Sequence, residues 1–432
     1  MKKQTKNEIK KIPLYFIVSA TTIIFSVLFG TIAMIAVFAL PLDNITENVK
    51  QSSEYLYKEG ENFSLTNLCM SRLDNFTDSI MLANASYDGD EDLVTKAMNV
   101  YMHNLEDSGR LLPLYNYTHN IKREAFHSEP YSRYWHGYLV FLKPLLMITN
   151  YQTIRIINLV VQTLLNITVV FLLYKRCLSR YILPYLLSVC FIMPIAIAFT
   201  MQYAPIFYIF SFASILILLF PKIVKRRFPL LLFFTIIGIS TAFFDFLTYP
   251  IASFGMVAVL YYCMIDNLSL KEKIYNGALI FSNWGFGYAG MWVGKWIIGS
   301  VLLKKNVFSA ALGSLETRTS NVSGRGEFSY ISVLGKNILT FIKTPVTLLA
   351  IIFILVMLYL LFIKTKSQKI NFSLCVPFII IALLPLIWYI FAGNHSFLHY
   401  HFTYKSLIVS SFSGLCMFAN LYKSNPQYKK FK

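Results

Sequence analysis

The chain has 432 residues, of which 56% are hydrophobic and only 14% are charged, and its formal net charge is +18. Soluble domains carry about a quarter charged residues, so this composition excludes a water-soluble globular protein, and the apolar content excludes a disordered one. A nucleic-acid partner would explain the charge, but membrane proteins reach similar values through basic cytoplasmic loops. We therefore expect an all-α polytopic protein of the lipid bilayer with no nucleic-acid partner.

The chain begins with a basic stretch, residues 1–13, which we expect to be a cytoplasmic tail. The next 27 residues, Leu14 to Leu40, contain no charge. This run is long enough to cross a hydrocarbon core of roughly 30 Å, and it exceeds the apolar core of about 7–15 residues in a cleaved signal peptide. We predict an uncleaved first transmembrane helix at 14–40.

A polar segment follows, and from Pro41 to Trp135 it holds fifteen acidic residues against eight basic ones. We predict a large extracytoplasmic loop at 41–150 that carries interfacial helices. The end of this loop, Gly137 to Asn150, contains Lys143 and Pro144 and is too short to cross a bilayer. An interfacial or half-inserted helix is expected there.

Apolar runs recur in the rest of the chain, and they predict a transmembrane bundle of about nine helices at 151–421. An outer loop interrupts the bundle at 302–344, and a cytoplasmic tail at 422–432 follows it. Together with 14–40 this makes about ten spans, the others being at about 154–174, 182–200, 204–220, 228–244, 251–265, 275–301, 345–363, 374–392 and 406–421. Gly290 and Gly294 in the seventh span have the GxxxG spacing that allows close helix packing.

The basic residues predict the orientation of the bundle. Alternate connections are short and basic, and with the two tails they hold 21 Lys and Arg against three acids, which accounts for the whole excess of +18. By the positive-inside rule both termini are then cytoplasmic, and the polar clusters face outward. The richness in Lys, Asn, Ile and Phe suggests a bacterial protein, so we expect a multi-pass protein of the bacterial cytoplasmic membrane.

Three acids on the predicted outer side are candidates for catalysis. Asp74 and Asp78 are four residues apart and share one face of a helix, where a carboxylate could act as a general base or hold a divalent cation. A helix cap or a solvated face is the structural alternative. Asp245 ends an apolar span just before the turn at Pro250, where it has either a function or a capping role.

Basic and aromatic residues cluster on the same side and are candidates for substrate binding. Arginine grips phosphate groups, histidine donates hydrogen bonds or transfers protons, and aromatic rings stack on sugars. His395 and His399 are four residues apart, a spacing that allows metal ligation on a helix. No third protein ligand is evident, so we predict no metal site. The candidates are Arg133, Tyr134, Trp135, His136, Arg318, His395, His399, Tyr404 and Lys405.

The chain has no Gly-rich phosphate loop and no nucleophile elbow, so an activated substrate on the outer side would have to arrive attached to a lipid. Five strings are similar to uncharacterised bacterial membrane proteins of the surface-polysaccharide type, and the whole layout resembles the GT-C class of integral-membrane glycosyltransferases. The strings are LDNFTDSIMLANAS, RYWHGYLVFLKPLL, FFDFLTYP, GYAGMWVGKW and NHSFLHYHFTYK.

The resemblance implies an active site at the outer face that uses a polyprenyl-linked sugar donor and a glycan, lipid or protein acceptor. The first-loop acid of the class would correspond to Asp74 or Asp78. Many members have an acidic pair just after the first span, where this chain has Asp43 and then Glu47, so Asp43 is a further candidate. No cofactor is certain, and a divalent cation is possible.

Two other functions fit the same residues. A polysaccharide polymerase, ligase or flippase would handle lipid-linked oligosaccharides, and a flippase would line a mid-membrane path with charged groups. Arg155 and Lys295 are the clear charges within the predicted spans. A membrane O-acyltransferase would use one of His395, His399 or His401.

Overall fold

The structure is a computed structural model that describes residues 12–105, 109–265, 268–323, 326–365 and 372–422. Most of the two predicted cytoplasmic tails, and most of the basic connection at 364–369, lie outside the described residues. The described chain is helical, with two short β-hairpins. This confirms the predicted all-α class.

Five helices in the described part of the chain are long and apolar enough to cross a membrane, which agrees with a helical membrane protein. They coincide with the predicted spans at 14–40, 154–174, 228–244, 275–301 and 345–363. We call them by their order in the chain: α1 (Ile12–Phe38), α7 (Tyr151–Lys175), α12 (Arg227–Phe244), α14 (Leu270–Leu303) and α17 (Val346–Thr365).

Four other predicted spans correspond to shorter apolar helices of 14–16 residues. A perpendicular span needs about 20 residues, so a count of ten complete spans stays a prediction. These helices are α10 (Ala204–Leu219), α13 (Ile251–Met264), α18 (Val376–Phe391) and α21 (Ile408–Tyr422).

The prediction of one continuous span at 182–200 is wrong. The segment forms α8 (Ile182–Phe191) and α9 (Pro194–Ala198), and Met193 between them has a left-handed backbone with φ of 56°. Proline has no backbone N–H and disfavours a helical conformation in the residue before it, so Pro194 begins a new helix.

The bundle is held together by close contacts along α14. A Cβ atom added to Gly287 would lie 2.2 Å from the carbonyl oxygen of Thr235, and one added to Gly238 would lie 2.0 Å from that of Trp284. On another side of α14, Gly290 and Gly294 contact Ile23 and Val27 of α1, which is the helix packing that the GxxxG spacing predicts. Small residues therefore let α1 and α12 approach α14 closely. 

Residues 41–150, which we call the loop domain, cover the end of the bundle where α1 ends and α7 begins; this is the loop-side end. The domain contains the antiparallel hairpin β1 (Met102–Asn104) and β2 (His127–Glu129). Its helices are α2 (Asp43–Glu59), α3 (Asn75–Ala85), α4 (Leu93–Asn99), α5 (Leu111–Thr118) and α6 (Leu139–Leu146).

Two buried lysines hold helices of the loop domain in place. Lys295 of α14 donates from Nζ to the carbonyl oxygen of Met98 over 2.9 Å, and Lys143 of α6 donates to that of Ala85 over 2.7 Å. Both carbonyls belong to the last turns of helices, where a cation is favoured by the helix dipole. The first contact fixes α4 to the bundle, and the second fixes α3 to α6 within the loop domain.

The described residues of the predicted outer loop at 302–344 form helices and a hairpin. It forms α15 (Val307–Thr319), the hairpin β3 (Val322–Ser323) and β4 (Gly326–Glu327), and α16 (Tyr330–Ile342). The amide of Asn337 in α16 donates to the carbonyl oxygen of Ser396 over 3.0 Å and accepts from the hydroxyl of Thr403 over 2.8 Å. The loop therefore packs on the segment 393–407, which contains α19 (Gly393–Leu398) and α20 (Tyr400–Thr403).

Candidate functional site

The loop domain meets two connections of the bundle near the start of α3. The backbone N–H groups of Met201 and Gln202 each donate to the carboxylate of Asp78 over 3.0 Å. The hydroxyl of Tyr404 donates to the carbonyl oxygen of Met70 over 3.3 Å. Segments 69–78, 199–203 and 393–407, which are far apart in sequence, therefore form one region.

The turn at 245–249 belongs to the same region. The ring of His395 donates from Nε2 to the carbonyl oxygen of Leu247 over 2.7 Å, and the hydroxyl of Tyr249 donates to that of Tyr203 over 2.7 Å. Leu247 has a left-handed backbone with φ of 65°, an uncommon conformation for a leucine that the surrounding contacts hold in place. The structure thus brings together polar clusters that the sequence could only assign to the same side of the membrane.

Asp78 is fully buried, and both of its oxygens are occupied. Oδ1 accepts from Gln202, and Oδ2 accepts from Met201 and from the hydroxyl of Tyr151. Burial raises the pKa of this carboxyl group to about 7. The geometry suits a residue that ties α3 to the 199–203 segment.

Asp74 has spare acceptor capacity. It caps α3, where Oδ1 accepts from the backbone N–H of Thr77 over 3.0 Å, and the Thr77 hydroxyl is its other near neighbour. A carboxylate has about four lone-pair sites, so about two of them have no partner among the described residues. Burial raises the pKa of Asp74, although Arg72 nearby opposes the shift. Of the two predicted first-loop acids, Asp74 is the better placed to accept a proton.

Asp245 caps the turn between α12 and α13. Its carboxylate accepts from the backbone N–H of Thr248 at 3.0 and 3.2 Å and from the hydroxyl of the same residue. The side chain is buried, and burial raises its pKa to about 7. These contacts are those of a residue that caps a turn, which is the structural role that the sequence offered for Asp245.

Several cations of the region lack an acidic partner. Arg72, Arg133, Arg318 and Lys405 form no ion pair with any carboxylate in the described residues. The Nε atoms of Arg72 and Arg133 are buried without a hydrogen-bond partner there. Arg72 was not among the predicted site residues, although it stands two positions before Asp74. Lys405 is buried and the three arginines are half-buried, and cations in such places without an acidic partner favour an anionic ligand.

Arg318 and His395 form a pair whose protonation the geometry determines. Arg318 donates from Nη1 to Nδ1 of His395 over 2.7 Å. Because an arginine can only donate, Nδ1 carries no proton and the ring proton is on Nε2, which faces Leu247. Burial, His399 and Arg318 lower the pKa of His395 well below its usual value, so the ring is neutral.

The next two histidines are neutral and have free ring nitrogens. No side-chain hydrogen bond of His399 or His401 occurs among the described residues, and His399 is partly exposed. Burial and the neighbouring Arg318 and Arg72 lower the pKa of His399 to about 4. The pKa of His401 is also lowered by burial and by Arg72. Both rings can donate to or accept from a ligand.

Lys405 lies at the centre of a group of unsatisfied polar atoms. Its fully buried Nζ contacts the hydroxyl of Tyr404 over 3.1 Å and the ring centroid of Tyr203 over 4.9 Å, and burial lowers its pKa to about 7. Buried polar atoms normally have partners, so such a group indicates room for a polar ligand or for water. The buried atoms without a partner in the described chain include Thr200 Oγ1, Gln202 Oε1, Tyr203 Oη and Ser406 Oγ.

The predicted cluster at 133–136 divides into two parts. Tyr134 lies between the guanidinium groups of Arg133 and Arg318, 5.2 and 5.8 Å from its ring centroid. In contrast, the buried Trp135 donates to the carbonyl oxygen of Met291 over 2.7 Å. The buried His136 contacts the carbonyl oxygen of Tyr131 over 2.9 Å, and burial lowers its pKa to about 3. These last two side chains connect the loop domain internally and to α14.

An apolar groove of about 490 Å³ lies between α6, α7, α10 and α12. Met81 and Met201 line its loop-side part, and the backbone of Met201 is bound by Asp78. The volume falls within the usual range of ligand pockets. The groove therefore ends next to the polar region described above.

The charges within the predicted spans do not line this groove. Arg155 is buried near the start of α7, and it binds both carboxylate oxygens of Glu59 at 2.8 and 2.9 Å and the side chain of Asn75 at 2.9 Å. Lys295 is bound to Met98. Both residues join bundle helices to the loop domain, so neither supplies the free mid-membrane charge that would favour a flippase.

No three His, Cys, Asp or Glu side chains in the described part of the chain are placed to hold a metal ion, and the divalent cation stays a prediction. Comparison with known proteins gives no matching family model, no matching curated protein and no matching solved structure.

Proposed function

We propose that this protein is a membrane glycosyltransferase that transfers a sugar from a polyprenyl-linked donor to a cell-surface acceptor. One observation carries the proposal: unpaired cations, neutral histidines and Asp74 gather at one end of an apolar helical bundle. The donor would bring its phosphate from the bilayer to this end. In this proposal the chain has about ten spans and a GT-C-like layout, both termini are cytoplasmic, and the site faces outward from a bacterial membrane.

The cations would bind the phosphate of the donor. Arg72, Arg318 and Lys405 have no carboxylate partner among the described residues, and guanidinium groups bind phosphate oxygens with two parallel hydrogen bonds. His399 would donate a hydrogen bond from a neutral ring. The buried rings of Tyr134 and Tyr203 pack beside Arg318 and Lys405 and would shape the wall of this site.

Asp74 would act as the general base. It takes the proton of an acceptor hydroxyl while that oxygen bonds to the anomeric carbon of the sugar. The bond between this carbon and the phosphate oxygen breaks, and the phosphate leaves with the electron pair, stabilised by Arg72 and Arg318. A pKa raised by burial makes Asp74 a stronger base than an exposed aspartate.

The proposal is tested by sugar transfer in membrane vesicles that contain the full chain. A panel of radiolabelled polyprenyl-phosphate and polyprenyl-diphosphate sugars serves as donor. Asp74→Asn is expected to reduce transfer at least 100-fold, as expected for the loss of a general base. Transfer at the wild-type rate in Asp74→Asn would overturn the mechanism.

O-acyl transfer is a second candidate, because His399 and His401 are neutral and their ring nitrogens have no hydrogen-bond partner among the described residues. A neutral imidazole can take the proton of an attacking hydroxyl. Labelling with a radioactive acyl donor separates the two functions. Acyl transfer that depends on His399, without any sugar transfer, would support this second function and exclude the first.

A further inference from the structure

The walls of the apolar groove carry two hydrogen-bond donors that have no partner in the described part of the chain. The hydroxyl of Tyr208 donates to Oδ1 of Asn158 over 2.7 Å, and both residues line the groove. The amide nitrogen of Asn158 then has no hydrogen-bond partner among the described residues. Its two N–H groups are available to an occupant of the groove.

Ser240 on the opposite wall, in α12, is the second donor. Its neighbours Thr235 and Thr241 donate to the carbonyl oxygens four residues earlier, over 3.1 and 2.7 Å. Ser240 makes no such bond, and no described residue partners its hydroxyl, although it lines the groove. An unused donor in an apolar environment costs free energy unless something accepts from it.

The two donors lie at a similar depth. Asn158 and Ser240 are each four residues inside the predicted spans, which begin at 154 and end at 244. At about 1.5 Å per residue, both lie about 6 Å below the surface of the hydrocarbon core. The ester carbonyls of glycerolipids lie at that surface, about one helical turn from both donors. Below them, the groove is lined by apolar residues such as Phe212, Leu216 and Phe233.

An isoprenoid chain has no acceptor group at this depth, and it would leave both donors unsatisfied. A glycerolipid places two ester carbonyls side by side, with apolar chains below and a polar headgroup above. We propose that the groove binds one ester-linked glycerolipid, whose carbonyl oxygens accept from Asn158 and Ser240. Its headgroup then lies at the loop-side end, beside Met201 and the acids of α3.

This inference rests on the proposed function only where it identifies the lipid as the acceptor. A hydroxyl on the headgroup would reach the region of Asp74 from the groove. The acceptor class is then a glycerolipid with a free headgroup hydroxyl, in preference to a protein or a soluble glycan.

Native mass spectrometry of the purified full chain tests lipid binding directly. The protein is mixed with equimolar phosphatidylglycerol and polyprenyl phosphate, and bound lipid is counted per chain. The wild type is expected to retain one phosphatidylglycerol. Asn158→Leu and Ser240→Ala are each expected to retain about fivefold less, because each loses one hydrogen bond.

Thr168→Val is the matched control in α7. The hydroxyl of Thr168 donates to the carbonyl oxygen of Leu164 over 2.8 Å, and Thr168 is not part of the groove. This variant is expected to retain the lipid like the wild type. Preferential retention of polyprenyl phosphate, equal retention in all variants, or retention of neither lipid by the wild type would overturn the inference. Melting temperatures within a few degrees of the wild type show that a variant is folded.

Asp74→Asn separates this inference from the proposed function. It is expected to retain phosphatidylglycerol fully while losing sugar transfer. Unchanged sugar transfer in Asp74→Asn would overturn the general-base mechanism and leave lipid binding in place. Sugar transfer to phosphatidylglycerol at the wild-type rate in the doubly substituted Asn158→Leu, Ser240→Ala chain would overturn the acceptor assignment alone.

Discussion

Arg318 and His395 are 77 positions apart in the chain, and Nη1 of the arginine donates to Nδ1 of the histidine over 2.7 Å. This bond connects α15 of the outer loop to α19 and fixes the ring so that Nε2 faces the turn at Leu247. The positive charge of Arg318 thereby stands beside the neutral His399 and the ring of Tyr134. The two hydrogen bonds of the His395 ring thus join α15, α19 and the turn at 245–249.

Replacement of Arg318 by Gln is expected to impair catalysis more than folding. The change removes a cation and the hydrogen bond that sets the tautomer of His395. A hydrogen bond to a charged group contributes roughly 1.5–3 kcal/mol, so kcat/KM for sugar transfer should fall about 10- to 100-fold. Arg123→Gln is the control, since Arg123 is about half exposed and pairs with Asp88 in the loop domain. Equal rates in the two variants would contradict a role for Arg318 at the site.

The variants Asp74→Asn and Asp78→Asn are expected to differ in their free energy of unfolding. Asn caps a helix as well as Asp does, so Asp74→Asn should change the free energy of unfolding little. At position 78 the new amide would face the N–H groups of Met201 and Gln202. The free energy of unfolding should therefore fall by about 1–3 kcal/mol. Thermal unfolding in detergent checks this, and a larger loss at Asp74 than at Asp78 would refute it.

Gly285 and Gly287, two residues apart in α14, provide a matched test of helix packing. A Cβ atom at position 287 would lie 2.2 Å from a backbone oxygen of α12, whereas one at position 285 meets nothing within 4 Å. Gly287→Ala is expected to destabilise the fold by at least about 1–3 kcal/mol. Gly285→Ala should be neutral or stabilising by up to about 1 kcal/mol. Similar melting temperatures for the two variants would show that α12 and α14 are not in close contact.

The donor KM is expected to depend on pH through Lys405, whose pKa burial lowers to about 7. Below this pH the amine is charged and attracts phosphate, and it loses its charge as the pH rises through 7. The KM of the donor should therefore increase several-fold between pH 6 and pH 8. Lys405→Met should have a high KM that changes little over this range. The idea fails if the wild type and the variant share one pH profile.

The two first-loop acids show which part of the candidate site could be predicted from the sequence. Their spacing placed Asp74 and Asp78 on one helix, and the structure has both at the start of α3. The sequence could not separate them, because the groups that occupy Asp78 come from Tyr151, Met201 and Gln202. Arg72 was within reach of sequence reasoning as the cation next to Asp74, but its position near His399 depends on the fold.

The sequence by itself determined the helical membrane class, the position of each long apolar helix and the set of polar segments, because these follow from local hydrophobicity and charge. Only the tertiary structure decided which polar groups are satisfied and which remain free. Asp78 and Arg155 are bound by partners distant in sequence, while Asp74, His399, Asn158 and Ser240 retain positions without a partner in the described chain. The physical reason is that a hydrogen bond in a buried site depends on atoms brought together by packing, which no local pattern encodes.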